Sequence, residues 1–382
     1  MNGGFGRMNG HGLPATKVHP DFLIIGAGAV GLSSALELAE RGASVVVIDQ
    51  GAAGRESTWA GAGILSPLLP WQYADAVNQL AEYSRSLFPA WCESLQGWSG
   101  VDPELRRTGM LVLSPAELAS AVAWCDRWGW PRSMVESDEF LPERPGQPAL
   151  WLPDVAQVRN PRLIHALRGA SQARKVVLTE GVRVLGLDSV DGKVVGVVTD
   201  RGRFSCGACV VAAGAASATI PGLELFAGRV FPVRGQMLLY KLPTGFLKTV
   251  VYRDGHYLVP RADGHLLVGS TLERVGFDRS TTPGARAELT AFAGELLPVL
   301  QGMEPIAHWS GLRPGSPDNI PLICRVEGHD NLYLNTGHYR YGVTMAPGAA
   351  KLLASLLFAE APAIPVDPYC DINDDMNGDM TA

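Results

Sequence analysis

Between positions 26 and 31 the chain reads Gly26-Ala27-Gly28-Ala29-Val30-Gly31, and its flanks leave few folds that can hold such a segment. A short apolar run over residues 22–25 precedes it, and apolar residues at helical spacing follow over 32–41 until Gly42. A second apolar run, 44–48, closes on Asp49. Strand, glycine turn, helix and a second strand ending in an acid open a parallel α/β layer built to bind a dinucleotide. Gly26 permits the tight turn, Gly28 lets backbone approach a pyrophosphate, and Gly31 lets the helix pack closely, while the helix N-terminus supplies N–H donors and a positive dipole. Ala27 and Val30 belong to the same turn. Asp49 can accept from both ribose hydroxyls and would repel a 2′-phosphate, so NADP is disfavoured. FAD and NAD share the adenosine diphosphate half, and this motif leaves both open.

Composition narrows the class of partner. A chain of 382 residues with 47% hydrophobic residues allows two or three domains with ample core. Net charge is 32 minus 38, or −6, spread in short mixed clusters, which gives no support for a nucleic-acid surface or a polybasic membrane anchor. No run of about 18 apolar residues is present. The six cysteines lack the spacing of a zinc site, and the single CxxC, Cys206 to Cys209, lies on an apolar strand-like run with no second CxxC beside it. Reduced thiols, no metal and a cytoplasmic location are expected. Residues 1–20 contain no apolar core segment and read as a disordered extension rather than a signal peptide.

Further along, residues 56–67 are too apolar for a solvent loop and too glycine-rich for a helix, which suits backbone laid along a cofactor. Apolar spacing predicts a helix over 74–95. Ser114-Pro115 and Asn160-Pro161 look like helix starts, with a Pro- and Trp-rich surface over 130–154 between them. Strands are expected across 175–213, with a hairpin at Asp191-Gly192 and a strand end at Gly214 that brings backbone to the same ligand. Residues 229–271 read as an antiparallel sheet with turns at Asp254-Gly255 and Asp263-Gly264, and 283–300 as a helix.

In the last third, Gly337-His338-Tyr339-Arg340-Tyr341-Gly342 lies between a predicted strand and a helix running to residue 357. A helix N-terminus there would stabilise negative charge on a bound ligand. Arg313 and Arg340 each fall at the end of a predicted strand, where two loops converge. Guanidinium pairing is the natural way to hold a carboxylate.

The glycine turn with Asp49, Pro232-Val233-Arg234-Gly235-Gln236, Tyr257-Leu258-Val259-Pro260-Arg261, Gly311-Leu312-Arg313-Pro314 and the Gly337 to Gly342 segment, in this order, resemble the FAD-dependent D-amino-acid oxidase superfamily. Within it the similarity is to the glycine oxidase branch of the thiamine pathway, over about residues 20–360. The resemblance implies an α/β fold, with a Rossmann-type FAD-binding domain formed by 21–85, 151–225 and 305–365. It implies an α+β substrate domain on an antiparallel sheet from 86–150 and 226–304, and a flexible tail over 366–382. It implies that Arg313 pairs with the substrate carboxylate and that Arg340 and Tyr257 line the same pocket. FAD contacts are implied for Asp49, Gln50, Ser57, Thr58, Ala62, Gly63, Ile64, the backbone of Val184, and His338, Tyr339, Arg340, Tyr341, Gly342, Val343 and Thr344.

The implied activity is oxidation of glycine and other small amines, by hydride transfer to flavin N5 with oxygen as acceptor. D-amino-acid or sarcosine oxidation, or a dehydrogenase reaction, are the alternatives. No general base is required if the amine binds neutral, and His338 is expected to orient the cofactor. Where relatives carry methionine near the flavin this chain has Ile64 and Leu272, and the Gly311 to Pro314 region offers no cysteine, so FAD is expected to be noncovalent. A homo-oligomer and a thiazole-synthesis partner are also implied.

Overall fold

The computed structural model describes residues 19–66, 69–141 and 145–370. Its centre is a six-stranded sheet in the order 322–325, 332–336, 208–211, 22–25, 45–49, 177–180. All neighbouring pairs are parallel except the outermost, Leu322–Arg325 against Leu332–Thr336. Side chains alternate between its two faces. Ile24, Val45 and Val47 enter one core, beneath the helices Ala29–Glu40, Asp75–Ser99, Asn160–Ala173 and Gly342–Leu357. Leu23, Ile25, Val46 and Ile48 enter a second core, under an antiparallel sheet of Val184–Val190, Lys193–Thr199 and Gly202–Ser205. Being parallel, the inner strands all present their C-terminal ends on one edge, and Gly26, Asp49, Ala212 and Gly337 meet there. Ligands of open α/β sheets bind at this edge.

The second large sheet has eight strands, in the order 307–315, 231–241, 265–269, 256–260, 250–253, 110–112, 148–152, 133–136. It is antiparallel as expected except where Val250–Arg253 runs parallel to Met110–Val112. One face is closed by the helix Pro283–Leu296 through Leu238, Leu258, Val268, Leu289 and Phe292. From the other, Met237, Tyr257 and Leu267 reach the core beneath the helices.

Several expectations shift. The boundary placed at 85/86 falls inside the helix Asp75–Ser99, and Ala307–Gly315 pairs with Phe231–Lys241 rather than with the parallel sheet. Within 130–154, Pro148–Leu152 is an interior strand of the large sheet with Ala149, Leu150 and Leu152 buried, and Trp130 packs in the core, whereas the outer strand Ser133–Glu136 is largely exposed. Ser114 caps no helix, because its Oγ accepts from the Asp254 N–H at 2.8 Å. Residues 366–370 are not a loose tail: Tyr369 is fully buried and its hydroxyl donates to the Ala76 carbonyl at 2.8 Å. The remaining tail, 371–382, and the extension up to residue 18 lie outside the described residues. Among the described residues no helix is long and apolar enough to cross a membrane, and no cluster of His, Cys, Asp and Glu could hold a metal ion. All six cysteines are free.

Candidate active site

The glycine turn is shaped by what it touches. Gly26 has φ +108°, and a Cβ there would stand 2.4 Å from the Ala212 carbonyl oxygen on the neighbouring strand end. At Gly31 a Cβ would lie 1.9 Å from the Gly26 carbonyl oxygen, so the first helical turn can sit on the glycine loop only without a side chain. Gly28 differs, with only Thr58 Oγ1 at 3.4 Å from its hypothetical Cβ and its open side on a cavity. The buried Ala27 donates its N–H to Asp49 Oδ2 at 2.7 Å, and Gly51 donates to Oδ1 at 2.8 Å. A carboxylate has about four acceptor sites, so Asp49 retains capacity for ligand hydroxyls. Ala29 donates to Thr58 Oγ1 at 3.0 Å. No protein acceptor among the described residues takes the N–H of Gly28 or Val30. Both residues line the cavity.

Next comes the backbone of 57–64. Gly63 has φ +71°, and a Cβ there would collide with the Val158 carbonyl at 2.2 Å. Two polar side chains whose part here the sequence did not reveal hold this loop. Asn160, fully buried, does not cap its helix but donates through Nδ2 to the carbonyls of Thr58 at 2.6 Å and Gly61 at 2.9 Å. Arg261 donates to the carbonyls of Ala62 at 2.7 Å and Val158 at 2.9 Å and to Gln157 Oε1 at 2.5 Å. Burial pulls its guanidinium down to about 10, still protonated at neutral pH. The signal for Arg261 was present beside Tyr257, but an arginine that binds carbonyls two elements away has no local spacing to betray it.

The opposite wall comes from the last strand-to-helix junction. Tyr339, at φ +46°, donates its N–H to the Pro314 carbonyl at 2.8 Å, and Thr344 Oγ1 donates to the Ile64 carbonyl at 3.1 Å, tying this junction to the two other loops. His338 is 1% exposed, its Nε2 has no partner, and burial holds its imidazole down at about 3. It is therefore neutral at physiological pH and too weak a base to take an amine proton.

A single cavity of about 440 Å³ runs between these walls. It is lined by every residue expected at the cofactor or substrate site except Ala27, whose contact is with Asp49, and Gly31, whose place is under the helix. Gln50 and Val184 lie at the Asp49 end, and Gly214 lies beyond the strand end at Ala212. Ile64 lines the cavity, but Leu272, expected beside it, is half exposed and lies outside the lining.

At the far end stand Tyr257, Arg313 and Arg340. Arg313 sits inside its strand, opposite Val233, rather than at the strand end. Its Nη1 donates to the Thr271 carbonyl at 3.2 Å and the Arg234 carbonyl at 3.4 Å, and its Nη2 donates to Ser270 Oγ at 2.6 Å. The guanidinium lies flat on Gly235, where a Cβ would meet Nη2 at 2.2 Å and Cζ at 2.4 Å. Burial, then the like charge of Arg340, lowers the affinity of this guanidinium for its proton. Neither arginine has an ion-pair partner among the described residues, and the Arg340 Nε makes no hydrogen bond. Two cations so placed favour an anion. The Tyr257 hydroxyl donates weakly to Met237 Sδ at 3.4 Å. Tyr73, absent from the sequence reading, packs edge-on against Tyr341 with ring centres 5.1 Å apart and planes at 86°.

Because the neighbour at Gly235 is the end of a flexible side chain, Gly235→Ala is expected to keep the fold but displace Arg313. A displacement of this kind lowers kcat/KM for a carboxylate-bearing substrate by about a hundredfold. Steady-state kinetics beside a circular dichroism spectrum checks this; wild-type kinetics would show that the guanidinium has room to move.

The family model described as FAD dependent oxidoreductase matches residues 21–356. The chain belongs to this family. It is 44% identical to the glycine oxidase of Pseudomonas aeruginosa over 356 residues, covering 91% of this chain and 97% of that protein. It is 33% identical to the bifunctional protein ThiO/ThiG of Synechocystis sp., covering 88% of this chain and 51% of that protein. The crystal structure of glycine oxidase from Geobacillus kaustophilus superposes with a TM-score of 0.87 at 28% identity, covering 92% of this chain and 98% of that one. The cofactor of the family is FAD, and the cavity fits it. Glycines stand where side chains would fill the lining, and the helices at Ala29 and Gly342 begin at the cavity. The lining runs from the Asp49 carboxylate to two cations, Arg313 and Arg340, without acidic partners among the described residues. The fold is the expected α/β architecture with a second sheet domain.

Proposed function

We propose that this chain is an FAD-dependent oxidase of glycine and other small amines, yielding glyoxylate, ammonia and hydrogen peroxide, with FAD held noncovalently in the cavity. The observation that carries it is the pair of arginines without acidic partners at one end of a cavity that fits the cofactor. The similarity to glycine oxidases supports the substrate. FAD, when bound, supplies the two-electron acceptor for the substrate's Cα–H and passes the electrons to oxygen. The protein's part is placement and charge. Arg313 holds the carboxylate, with Arg340 and Tyr257 beside it. No carboxylate side chain lines this end, and His338 is neutral, so the residues present neither take a proton from the amine nor give one. The amine has to enter neutral, with its nitrogen lone pair free to become the imine. Gly342 to Thr344, at the start of their helix, offer a positive dipole to the cofactor.

The same reading places the protein in the cytoplasm as a homo-oligomer, handing imine to a thiazole-forming partner. Similarity to part of the ThiO/ThiG protein supports that partner. The decisive experiment is anaerobic mixing of the yellow holoprotein with glycine, with sarcosine and D-alanine alongside. Bleaching by glycine, with stoichiometric peroxide on readmission of air, is expected. A flavin reduced by none of the three would overturn the proposal, and one reduced without peroxide would indicate a dehydrogenase.

A further inference from the structure

The carboxylate end of the cavity also holds a hydroxyl with no assigned role. Ser270 is 7% exposed, follows the strand His265–Gly269 and lines the cavity. Its Oγ accepts from Arg313 Nη2 at 2.6 Å. A serine hydroxyl also has one proton to donate. No described protein atom accepts it. The turn that carries Ser270 is fixed from behind. Thr271 Oγ1 donates to Glu273 Oε1 at 2.6 Å and accepts from the Gln236 N–H at 3.0 Å. Glu273 also accepts from Arg234 Nη2 at 2.6 Å and Gln236 Nε2 at 2.8 Å. The backbones of residues 234 and 273 exchange hydrogen bonds at 2.9 and 3.0 Å. The backbone that carries Ser270 is thereby tied to the strand that lies beside Arg313.

We propose that Ser270 is a second recognition group for the substrate carboxylate. Its oxygen fixes Nη2 of Arg313, and its proton is donated to a carboxylate oxygen held by the same guanidinium. This rests on the reading of Arg313 as the carboxylate-binding residue. An O–H donor to an anion gives a short, strong bond. The arrangement favours amino acids over amines of similar size that lack the carboxylate, because those would leave both donors unmatched.

The test titrates holoenzyme with glycolate, which has glycine's size and carboxylate but no amine, following the flavin absorbance. Ser270→Ala, Ser270→Thr and Arg313→Lys are measured beside the parent, with anaerobic reduction by glycine in parallel. Ser270→Ala is expected to raise the glycolate Kd roughly tenfold, with a much smaller change in the limiting rate of reduction, and Ser270→Thr to recover most of the loss. A Kd for Ser270→Ala within about twofold of the parent, while Arg313→Lys weakens binding, overturns the role of Ser270 and leaves Arg313 standing. If neither variant changes glycolate binding, the reading of Arg313 itself fails. Should Ser270→Ala not retain flavin, Ser270→Cys, of similar size with a weaker donor, carries the same measurement, and parental affinity in it overturns the proposal.

Discussion

Replacing Arg313 by Ala is expected to weaken glycine binding by about 2 to 5 kcal/mol, read as a rise in KM of roughly thirtyfold to several thousandfold at 1.4 kcal/mol per factor of ten. The magnitude follows from placement. The guanidinium lies on Gly235, shares no carboxylate with another residue, and is fixed by the Thr271 and Arg234 carbonyls and by Ser270. Those bonds leave donors facing the cavity, so a carboxylate bound there would meet a cation already desolvated and oriented. Truncation removes the charge, and the nearest remaining one, Arg340, belongs to a different loop. The flavin should stay bound, because the walls that would hold it do not depend on Arg313. Arg313→Lys should recover only part of the loss, since an ammonium cannot reproduce the planar fork. Parental KM for glycine in Arg313→Ala, with flavin at full occupancy, would show that the carboxylate binds elsewhere.

The parts of this site that were legible in the sequence are those governed by local backbone geometry. Gly26, Gly28 and Gly31 declare themselves because a strand, a turn without side chains and a helix must follow at fixed spacing. Gly337 to Gly342 is recognisable for the same reason. Arg313, Arg340 and Tyr257 carried no local signal beyond their residue type, and only resemblance to a family distinguished them from surface arginines and a core tyrosine. What remained hidden is what acts across the chain. Asn160 read as a helix cap because Asn before Pro usually is one, but its amide was taken by the carbonyls of Thr58 and Gly61, about a hundred residues away in sequence. Ser114 failed in the same way when the Asp254 N–H claimed its hydroxyl. A side chain that serves a distant backbone group competes with its own local motif, and sequence spacing records only the local option. Tyr369 shows the reverse, a segment that looked like a loose end but carries a buried ring with a bonded hydroxyl.

The second large effect is expected at Gly31, where Gly31→Ala should yield protein that is colourless or nearly so. A Cβ at this position would lie 1.9 Å from the Gly26 carbonyl oxygen and 3.4 Å from the Ala212 methyl group. The near neighbour is backbone, so no rotamer change relieves the clash, unlike the case of Gly235. Either the helix Ala29–Glu40 lifts or the glycine loop shifts, and overpacking of this kind costs about 1 to 3 kcal/mol or more. The consequence for the cofactor should exceed that for the fold. The helix is also held through Ser34, which accepts from Asn335 Nδ2, and through its apolar face, whereas Gly28 and the first helical turn with Val30 sit directly on the loop that has to move. Ala27 would lose its 2.7 Å bond to Asp49 at the same time, and the Asp49 carboxylate and the glycine turn would be uncoupled. Flavin content below about a tenth of the parent's, equivalent to about 1.4 kcal/mol at subsaturating FAD, is the expected result, with a smaller fall in the thermal midpoint of the apoprotein. Absorbance at the flavin band against total protein measures the first quantity and calorimetry the second. Full flavin occupancy in Gly31→Ala would mean that the loop and helix can separate without disturbing the N–H groups of Gly28 and Val30, and that Gly31 is there only for packing.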